Sequence, residues 1–331
     1  MRYLFIYTVV CCAMMMVCSH IAAQQNTLLS RKQSTTAFLY QADPTIFFDK
    51  GIYYLYGTNG TNADSGFKVF VSKDLKQWQL SKANNGWALM KGSAYGKHGF
   101  WAPQVFYYNH KYYMAYTANE QIAIAESDSP AGPFTQKIIQ SIDTSIKEID
   151  PFVFIDNGNI YLYHVRLQNG NRIYVAQLND SLTAIIPNTA HECISAVNNG
   201  QPWENKSNVQ WTVAEGPCVI KHNDVYYMFY SANDFRNPGY AVGYATANSP
   251  AGPWKKYRGN PVISRQLTGV NGTGHGDVLK DKKNNWWYVF HTHYNDTAAT
   301  PRKTAIIQLQ VDDKGTITAD TSSFRFLKRT Q

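Results

Sequence analysis

QADPTIFFDKGIYYLYGTN, residues 41–59, joins an acidic head to an apolar run, a glycine turn and an aromatic run. Both runs are rich in residues that favour β-strands, so the stretch predicts a hairpin. Asp43 stands at the mouth of the first strand, and an ionised carboxylate is costly to bury. The stretch EIDPFVFIDNGNIYLYHVR, residues 148–166, repeats this layout with Asp150 in the matching place. The repetition indicates one structural unit that is used more than once.

Five segments share the layout of polar head, apolar strand, turn and aromatic strand, with heads about 50 to 65 residues apart. The heads begin at Asp43, Trp101, Asp150, Glu215 and His275. Two near-copies, AIAESDSPAGPFT from Ala123 and GYATANSPAGPWKKY from Gly243, supply third and fourth strands. We therefore predict an all-β, five-bladed β-propeller with four antiparallel strands per blade. A large sandwich of similar hairpins is the alternative, but it does not explain why every unit opens with a polar head.

The ends of the chain predict its domain organisation. Residues 1–23 have a basic start, an apolar stretch and small residues at the end, which is typical of a cleaved secretory signal peptide. A lipid anchor at Cys18 is the alternative. We expect a linker over residues 24–37 and the propeller over residues 38–331, with the tail from Val311 closing the ring. The signal peptide predicts a periplasmic or extracellular protein.

Composition excludes some functions. The formal charge is +8 without a dense block of Lys and Arg, so nucleic acid is not an expected partner. No second apolar run is long enough to span a membrane. Aromatic residues make up 14% of the chain, which suits both stacking on sugars and packing of sheets. Cys193 and Cys218 lie outside the leader, and either a disulfide or two buried thiols is compatible with them.

The first strand of each propeller blade borders the central channel, so heads at the same end of these strands converge on the axis. Asp43, Asp150 and Glu215 are therefore expected to share one wet pocket, the active site, at the central channel. Hydrolysis of a glycosidic bond needs one carboxylic acid and one carboxylate, and a third acid raises the pKa of the proton donor. We predict Asp43 as general base, Glu215 as general acid and inversion at the anomeric carbon, because blades 1 and 4 are far apart.

The motifs ADP at 42–44, IDP at 149–151 and EGP at 215–217, with WAPQV at 101–105 and GHGDV at 274–278, carry a resemblance. The chain resembles glycoside hydrolase family 43, five-bladed propellers that act on plant polysaccharides containing arabinose, xylose or galactose. The similarity spans roughly residues 40–309.

This resemblance assigns Asp43 as base, Glu215 as acid and Asp150 as the residue that tunes the pKa of the acid. It implies substrate contacts for Trp101, for His275 and for Arg302, which follows Pro301 here where the family has glycine. It also places a hydrated calcium ion beside His275 in the central channel, as a structural ion, with no cofactor required for the reaction.

The predicted function is an exo-acting inverting glycosidase that releases α-L-arabinofuranose from plant polysaccharide or oligosaccharide. A β-xylosidase or a galactosidase of the same family is the alternative. A retaining fructan-cleaving propeller is disfavoured, because Ala42 and Gly216 replace the Asn and Cys typical of such enzymes. A non-catalytic sugar-binding propeller is the alternative from another class.

Four further residues fall in segments that could reach the rim of the pocket, although a surface or packing role is their default interpretation. They are His98, Arg166, Phe235 and Tyr240.

Overall fold

The hairpins expected between apolar and aromatic runs form the inner half of every blade. Four of the five turns have two residues with positive φ between the paired strands, for example Lys50 (47°) and Gly51 (82°) between Asp49 and Ile52. Positive φ at both positions is the geometry of a type I′ hairpin, which matches the right-handed twist of the strands. The predicted turn chemistry is confirmed.

The computed structural model describes residues 36–198 and 200–330. The predicted signal peptide, residues 1–23, and most of the predicted linker, 24–37, lie outside the described residues. Residues Ala37–Arg329 form one compact unit. Its helical elements are a 3₁₀ turn at Ala83–Gly86 and a single α-helical turn at Arg265–Thr268.

Five sheets form the blades of a β-propeller, which confirms the predicted fold class. Their strands, from the inside outward, are as follows for each blade. Blade 1 contains Gln41–Asp49, Ile52–Asn59, Phe70–Ser72 and Gln77–Leu80. Blade 2 contains Trp101–Tyr108, Lys111–Ala118 and Gln121–Ser127, and blade 3 contains Glu148–Asp156, Asn159–Leu167, Asn171–Gln177 and His191–Ile194. Blade 4 contains Ala214–His222, Val225–Ala232, Ala241–Ala247 and Lys255–Lys256, and blade 5 contains Gly274–Lys280, Trp286–Thr292, Lys303–Val311 and Ile317–Phe326.

The fourth strand of blade 2 is reduced to one bridge, between Glu126 and Thr135. A small separate ladder pairs Gly66–Lys68, which comes between the second and third strands of blade 1, with Trp87–Met90, which comes between blades 1 and 2.

The end of the chain closes the ring, as predicted. The strand Lys328–Thr330 pairs in parallel with the outer strand of blade 1 through Lys328–Gln77 and Arg329–Trp78. The preceding strand, Ile317–Phe326, is the outer strand of blade 5. One continuous segment therefore links the last blade to the first.

Aromatic side chains fill the spaces between blades. Tyr116 of blade 2 lies 5.6 Å from Phe67 and 6.0 Å from Phe100, measured between ring centroids, and all three are fully buried. Each such side chain removes a large apolar area from water, which stabilises the ring of blades. Both cysteines in the described part of the chain are free thiols: Cys193 lies on the outer strand of blade 3 and Cys218 on the inner strand of blade 4.

Candidate active site

The heads of all five blades share one irregularity, a β-bulge. Proline follows the head in four blades, and it has no N–H to give to the ladder, so pairing between the first two strands is interrupted there. The breaks fall between Ala42 and Thr45, Trp101 and Gln104, Ile149 and Phe152, Glu215 and Cys218, and Gly274 and Gly276.

One residue in each bulge has a left-handed backbone. These residues are Asp43 (φ 47°), Ala102 (44°), Asp150 (55°), Gly216 (60°) and His275 (43°). Asp43, Asp150 and His275 are therefore equivalent in the five-fold repeat. Glu215 instead lies one residue before the left-handed residue of its blade, so it is equivalent to Trp101. The sequence repeat did not reveal this offset of one residue. Such a backbone is unfavourable for residues other than glycine, so neighbouring contacts must hold it.

Those contacts come from the previous blade. The N–H of the left-handed residue donates to a side chain on the second strand of the blade before it. The pairs are Ala102 to Thr58 Oγ1 (3.0 Å), Asp150 to Thr117 Oγ1 (2.9 Å), His275 to Ser231 Oγ (2.7 Å) and Asp43 to His291 Nδ1 (3.2 Å). Each acceptor lies opposite the first residue of its own blade's bulge, so four of the five junctions repeat one bond.

The junction between blades 3 and 4 departs from this pattern. The equivalent acceptor position is Val165, opposite Ile149, and its side chain has no hydrogen-bonding atom. The N–H of Gly216 donates instead to Oδ2 of Asp150, at 3.3 Å. Because Val165 cannot accept this hydrogen bond, the N–H of Gly216 is available to Asp150, one of the predicted catalytic acids.

The six predicted site residues all line one pocket with a volume of about 400 Å³. They are Asp43, Trp101, Asp150, Glu215, His275 and Arg302. The three acids and His275 are buried at its floor, each at most 8% exposed. The structure thus brings together residues that are spread over five blades.

Asp43 is held in its ionised form. Nη1 of Arg302 donates to its Oδ1 at 2.6 Å, Nη2 donates to Oδ2 at 3.2 Å, and Oγ1 of Thr58 donates to Oδ2 at 2.6 Å. Burial acts to raise the pKa of Asp43, but the charge of Arg302 and the neighbouring His275 and His291 hold it well below its usual value.

His291 completes this environment, and the sequence analysis did not assign it to the site. It is fully buried, and burial with the nearby charge of Arg302 lowers its pKa to about 3, so the ring is neutral. Its Nδ1 lies 3.2 Å from the backbone nitrogen of Asp43 and 3.2 Å from Oδ1 of the same residue. The signal in the sequence was its position, opposite Gly274, where three of the other four blades carry Thr or Ser.

Glu215 has the opposite environment. Burial raises its pKa to about 7, and the charges of Asp43 and Asp234 act in the same direction. Hydrogen bonds from Tyr240 to Oε1 (2.7 Å) and from Asn171 Nδ2 to Oε2 (2.8 Å) limit this rise. Near neutral pH the carboxyl group can therefore carry a proton while Asp43 stays ionised. Two acids whose pKa values are pushed apart form a candidate acid–base pair.

Tyr240 is fixed in place by glycine and histidine. Its ring is fully buried and stacks on His291 at 5.6 Å between centroids. A Cβ atom on Gly274 would lie 2.2 Å from the tyrosine ring, so the first glycine of the GHGDV motif makes room for it. The sequence placed Tyr240 only near the rim, with a packing role as the default. In the structure it donates directly to the predicted acid.

Asp150 and His275 occupy the floor between the other two acids. Nδ1 of His275 lies 3.4 Å from Oδ1 of Asp43 and 3.8 Å from Oδ2 of Asp150. Burial lowers the pKa of His275, which favours the neutral ring. Burial raises the pKa of Asp150 well above its usual value, and the charges of Glu215 and Asp43 raise it further. Asp150 and Glu215 thus interact electrostatically, with the charge of Glu215 raising the pKa of Asp150, and the tuning role assigned to Asp150 stays a prediction.

Other candidates divide between the pocket and the packing. Phe235 lines the pocket, and the guanidinium of Arg302 lies 4.5 Å from the centre of its ring. Arg166 instead donates to the buried Glu148 at 3.1 Å. The backbone N–H of His98 donates to Asn119, and its side chain is not among the pocket lining. Asn171, Trp211 and Asp234 also line the pocket, although nothing in the repeat pattern marked them.

The calcium ion expected beside His275 stays a prediction. Below the pocket, the channel narrows to a cavity of about 20 Å³ lined by Gln104, Asp150, His275 and Asp277 among others. This volume holds about one water molecule, so as placed the residues do not fit a hydrated ion. Among residues 36–198 and 200–330, no group of three or more His, Cys, Asp or Glu is arranged to hold a metal ion.

Neither helical segment in the described part of the chain has the length and apolarity needed to cross a membrane.

Comparison with known proteins gives the chain its family. The sequence profile of the glycosyl hydrolases family 43 matches residues 38–317. A solved structure described as an endo-1,4-β-xylanase from Bacteroides thetaiotaomicron is 42% identical and covers 90% of this chain and 100% of its own, with a TM-score of 0.82. A second, described as a thermostable family-43 glycoside hydrolase, is 36% identical and covers 86% of this chain and 93% of its own, with a TM-score of 0.76.

Among curated relatives, a β-D-galactofuranosidase of Aspergillus niger is 24% identical over 89% of this chain and 88% of its own length. An extracellular exo-α-(1→5)-L-arabinofuranosidase of Streptomyces avermitilis is 23% identical over 79% of this chain and 56% of its own. The matching profile covers most of the chain, and the site contains the acids, the tryptophan and the histidine on which the resemblance rested. The chain belongs to glycosyl hydrolases family 43.

Proposed function

We propose that this glycoside hydrolase is an inverting, exo-acting enzyme that releases a terminal α-L-arabinofuranose from plant polysaccharide or oligosaccharide. The acid–base assignment is supported by one observation: two buried carboxyl groups in one pocket have pKa values shifted in opposite directions. Asp43 is kept ionised by Arg302, whereas the pKa of Glu215 is raised to about 7. A carboxylate and a carboxylic acid in one pocket are the pair that glycoside hydrolysis requires.

In the proposed reaction, Asp43 takes a proton from a water molecule as the water oxygen bonds to the anomeric carbon. The bond from that carbon to the glycosidic oxygen breaks, and Glu215 gives its proton to the departing oxygen. The low pKa of Asp43 makes it a weak base towards free water. It suffices here because water becomes strongly acidic as it attacks an oxocarbenium-like carbon. An ionised Asp150 repels ionised Glu215, and the charge of Glu215 raises the pKa of Asp150 in turn, so the two carboxyl groups bind protons as a pair.

The choice of a furanose rests on the relatives. The names of the Aspergillus niger and Streptomyces avermitilis proteins both specify removal of a furanose, galactofuranose or arabinofuranose. We carry arabinofuranose to this chain as the proposal. Xylose is the second candidate, favoured by the 42% identity with the structure described as an endo-1,4-β-xylanase.

One experiment tests both the chemistry and the sugar. Purified enzyme is given arabinofuranosides, xylosides and galactofuranosides, and the first-formed anomer of the released sugar is followed by proton NMR. We expect fastest turnover of the arabinofuranoside and the anomer opposite to that of the substrate. Fastest turnover of a xyloside would replace arabinose with xylose, and net retention would overturn the roles assigned to Asp43 and Glu215.

The non-catalytic alternative has its own test. A sugar-binding propeller would bind oligosaccharide without any turnover by the wild type, whereas the proposed enzyme loses most activity in Asp43→Asn and Glu215→Gln while still binding sugar. We also propose export, since several relatives are named as extracellular and residues 1–23 have the pattern of a signal peptide. The N-terminal sequence of the secreted protein checks this.

A further inference from the structure

Trp211 is an exposed aromatic residue at the mouth of the pocket. It lines the same pocket as the three acids, yet its side chain is about half exposed (51%), whereas Glu215 is only 8% exposed. A half-exposed indole at the opening of a polar pocket presents a flat apolar face to whatever enters.

The indole is also tied to the proposed acid. Nε1 of Trp211 donates to Oδ1 of Asn171 at 2.9 Å, and Nδ2 of Asn171 donates to Oε2 of Glu215 at 2.8 Å. An indole N–H can only donate, so it requires the amide oxygen of Asn171 on its own side. The amide NH₂ group must then face the carboxyl group. Trp211 thereby sets the orientation of a hydrogen-bond donor to the proposed acid.

The backbone keeps these residues together. The N–H of Asn171 donates to the carbonyl of Thr212 at 2.8 Å, and Asn171 forms a parallel bridge with Val213. Gly170 has φ of 117°, and a Cβ atom there would lie 2.8 Å from the carbonyl oxygen of Thr212. The segment that carries Trp211 is thus joined directly to the third strand of blade 3.

We infer that Trp211 is a stacking platform for the first sugar of the leaving group, and that its N–H holds Asn171 towards Glu215. This inference rests on the proposed function, because it takes Glu215 as the proton donor to the glycosidic oxygen. The sugar that is released binds at the buried floor beside Asp43. The leaving group must therefore extend past Glu215 towards the mouth, where Trp211 lies. The natural leaving group is accordingly a sugar ring with an apolar face, within an oligosaccharide or polysaccharide.

The test compares two substrates with the same released sugar. One is an arabinofuranosyl oligosaccharide, and the other is arabinofuranosyl fluoride, whose leaving group has no ring and needs little protonation. In Trp211→Ala we expect the ratio of kcat/KM for the oligosaccharide to kcat/KM for the fluoride to fall roughly 10-fold or more. Tyr107→Ala is the matched control, since Tyr107 is equally exposed (50%) at the far end of the inner strand of blade 2. It should leave the ratio unchanged.

Trp211→Phe separates the two roles, because it keeps an aromatic face and removes the N–H. We expect it to retain most of the preference for the oligosaccharide while its alkaline pH limit moves upward, because Glu215 loses a well-oriented donor to its ionised form. If Trp211→Ala lowered kcat/KM equally for both substrates, or for neither, Trp211 would not be a stacking platform. A Trp211→Phe pH profile identical to that of the wild type would overturn the link to Asn171. A wild type that turns over neither these substrates nor the corresponding xylosides would overturn the proposed function itself, and the platform with it.

Discussion

The N–H of Gly216 donates to Oδ2 of Asp150 because Val165, the residue that should accept it in the inter-blade pattern, has no polar atom. At the other four junctions a Thr, Ser or His side chain takes the equivalent bond. Asp150 therefore gains a donor that lowers its pKa against the effect of burial.

Val165→Thr should transfer this donor. The new hydroxyl group competes for the N–H of Gly216, so the pKa of Asp150 rises. A larger fraction of Asp150 is then neutral, and neutral Asp150 does not repel the ionised form of Glu215. We expect the alkaline limit of kcat to move down by roughly half a pH unit. Val165→Ala removes volume without adding an acceptor, so it should lower thermal stability and leave the limit in place. A shift of equal size in both variants would argue against the transfer.

The wild-type pH profile follows from the two environments. Glu215 must be protonated to act as an acid, and its pKa is raised to about 7, so kcat/KM should fall as the pH rises above about 7. Asp43 must be ionised, and its pKa is well below its usual value, so the acidic limit should lie below pH 4. The profile is measured with an oligosaccharide substrate, and an alkaline limit near pH 5 would contradict the assignment.

Glu215→Gln should reduce kcat for an oligosaccharide by roughly 10²–10⁴-fold and remove the alkaline limit. A glycosyl fluoride needs little protonation on departure, so its turnover should be far less affected. Glu120→Gln is a useful control, because Glu120 lines the same pocket but its carboxylate pairs with Lys147 at 2.5 Å. Equal loss on both substrates in Glu215→Gln would speak against a proton-donor role.

Tyr240→Phe tests the hydrogen bond to the acid. Its hydroxyl group donates to Oε1 of Glu215 at 2.7 Å and lowers the pKa of that group. Without the hydroxyl the pKa of Glu215 rises, so the alkaline limit should move upward, opposite to the shift in Val165→Thr. Loss of one bond to a charged acceptor corresponds to about 1.5–3 kcal/mol, or one to two pH units. Tyr244 is a buried tyrosine of the same strand region whose hydroxyl accepts from the N–H of Ile317, so Tyr244→Phe should leave the limit where it is.

Arg302→Gln tests the ion pair of the base. Asp43 has a depressed pKa in the folded state, so its pairing stabilises the protein above the pKa of the unfolded chain and is lost as the pH falls through the folded value. Removing Arg302 leaves a buried carboxylate without its cation, which should cost about 3 kcal/mol near neutral pH and raise the acidic limit of activity. Lys111→Gln breaks a solvent-accessible pair with Glu126, which water screens, so its effect on stability should be much smaller. Chemical unfolding at two pH values measures both.

The family motifs and the repeat of polar head and hairpin were enough to predict the propeller, because local turn chemistry and strand alternation act over a few residues. Asp49-Lys50-Gly51-Ile52 forms the expected turn, and the polar heads converge as a five-fold ring requires. The three acids, Trp101, His275 and Arg302 could be assigned to one pocket from these patterns and from the family resemblance.

Tertiary structure decided which residues beyond the polar heads surround the acids. His291, Asn171, Tyr240 and Trp211 reach the acids across blade boundaries or from connecting segments, and no spacing in the sequence records those distances. The offset of Glu215 from Asp43 likewise depends on which residue of the bulge turns out of the ladder. Ionisation followed the same division. The sequence supplied carboxyl groups of similar intrinsic acidity, and only burial beside their different neighbours separates the pKa values of Asp43 and Glu215, as the proposed base and acid require.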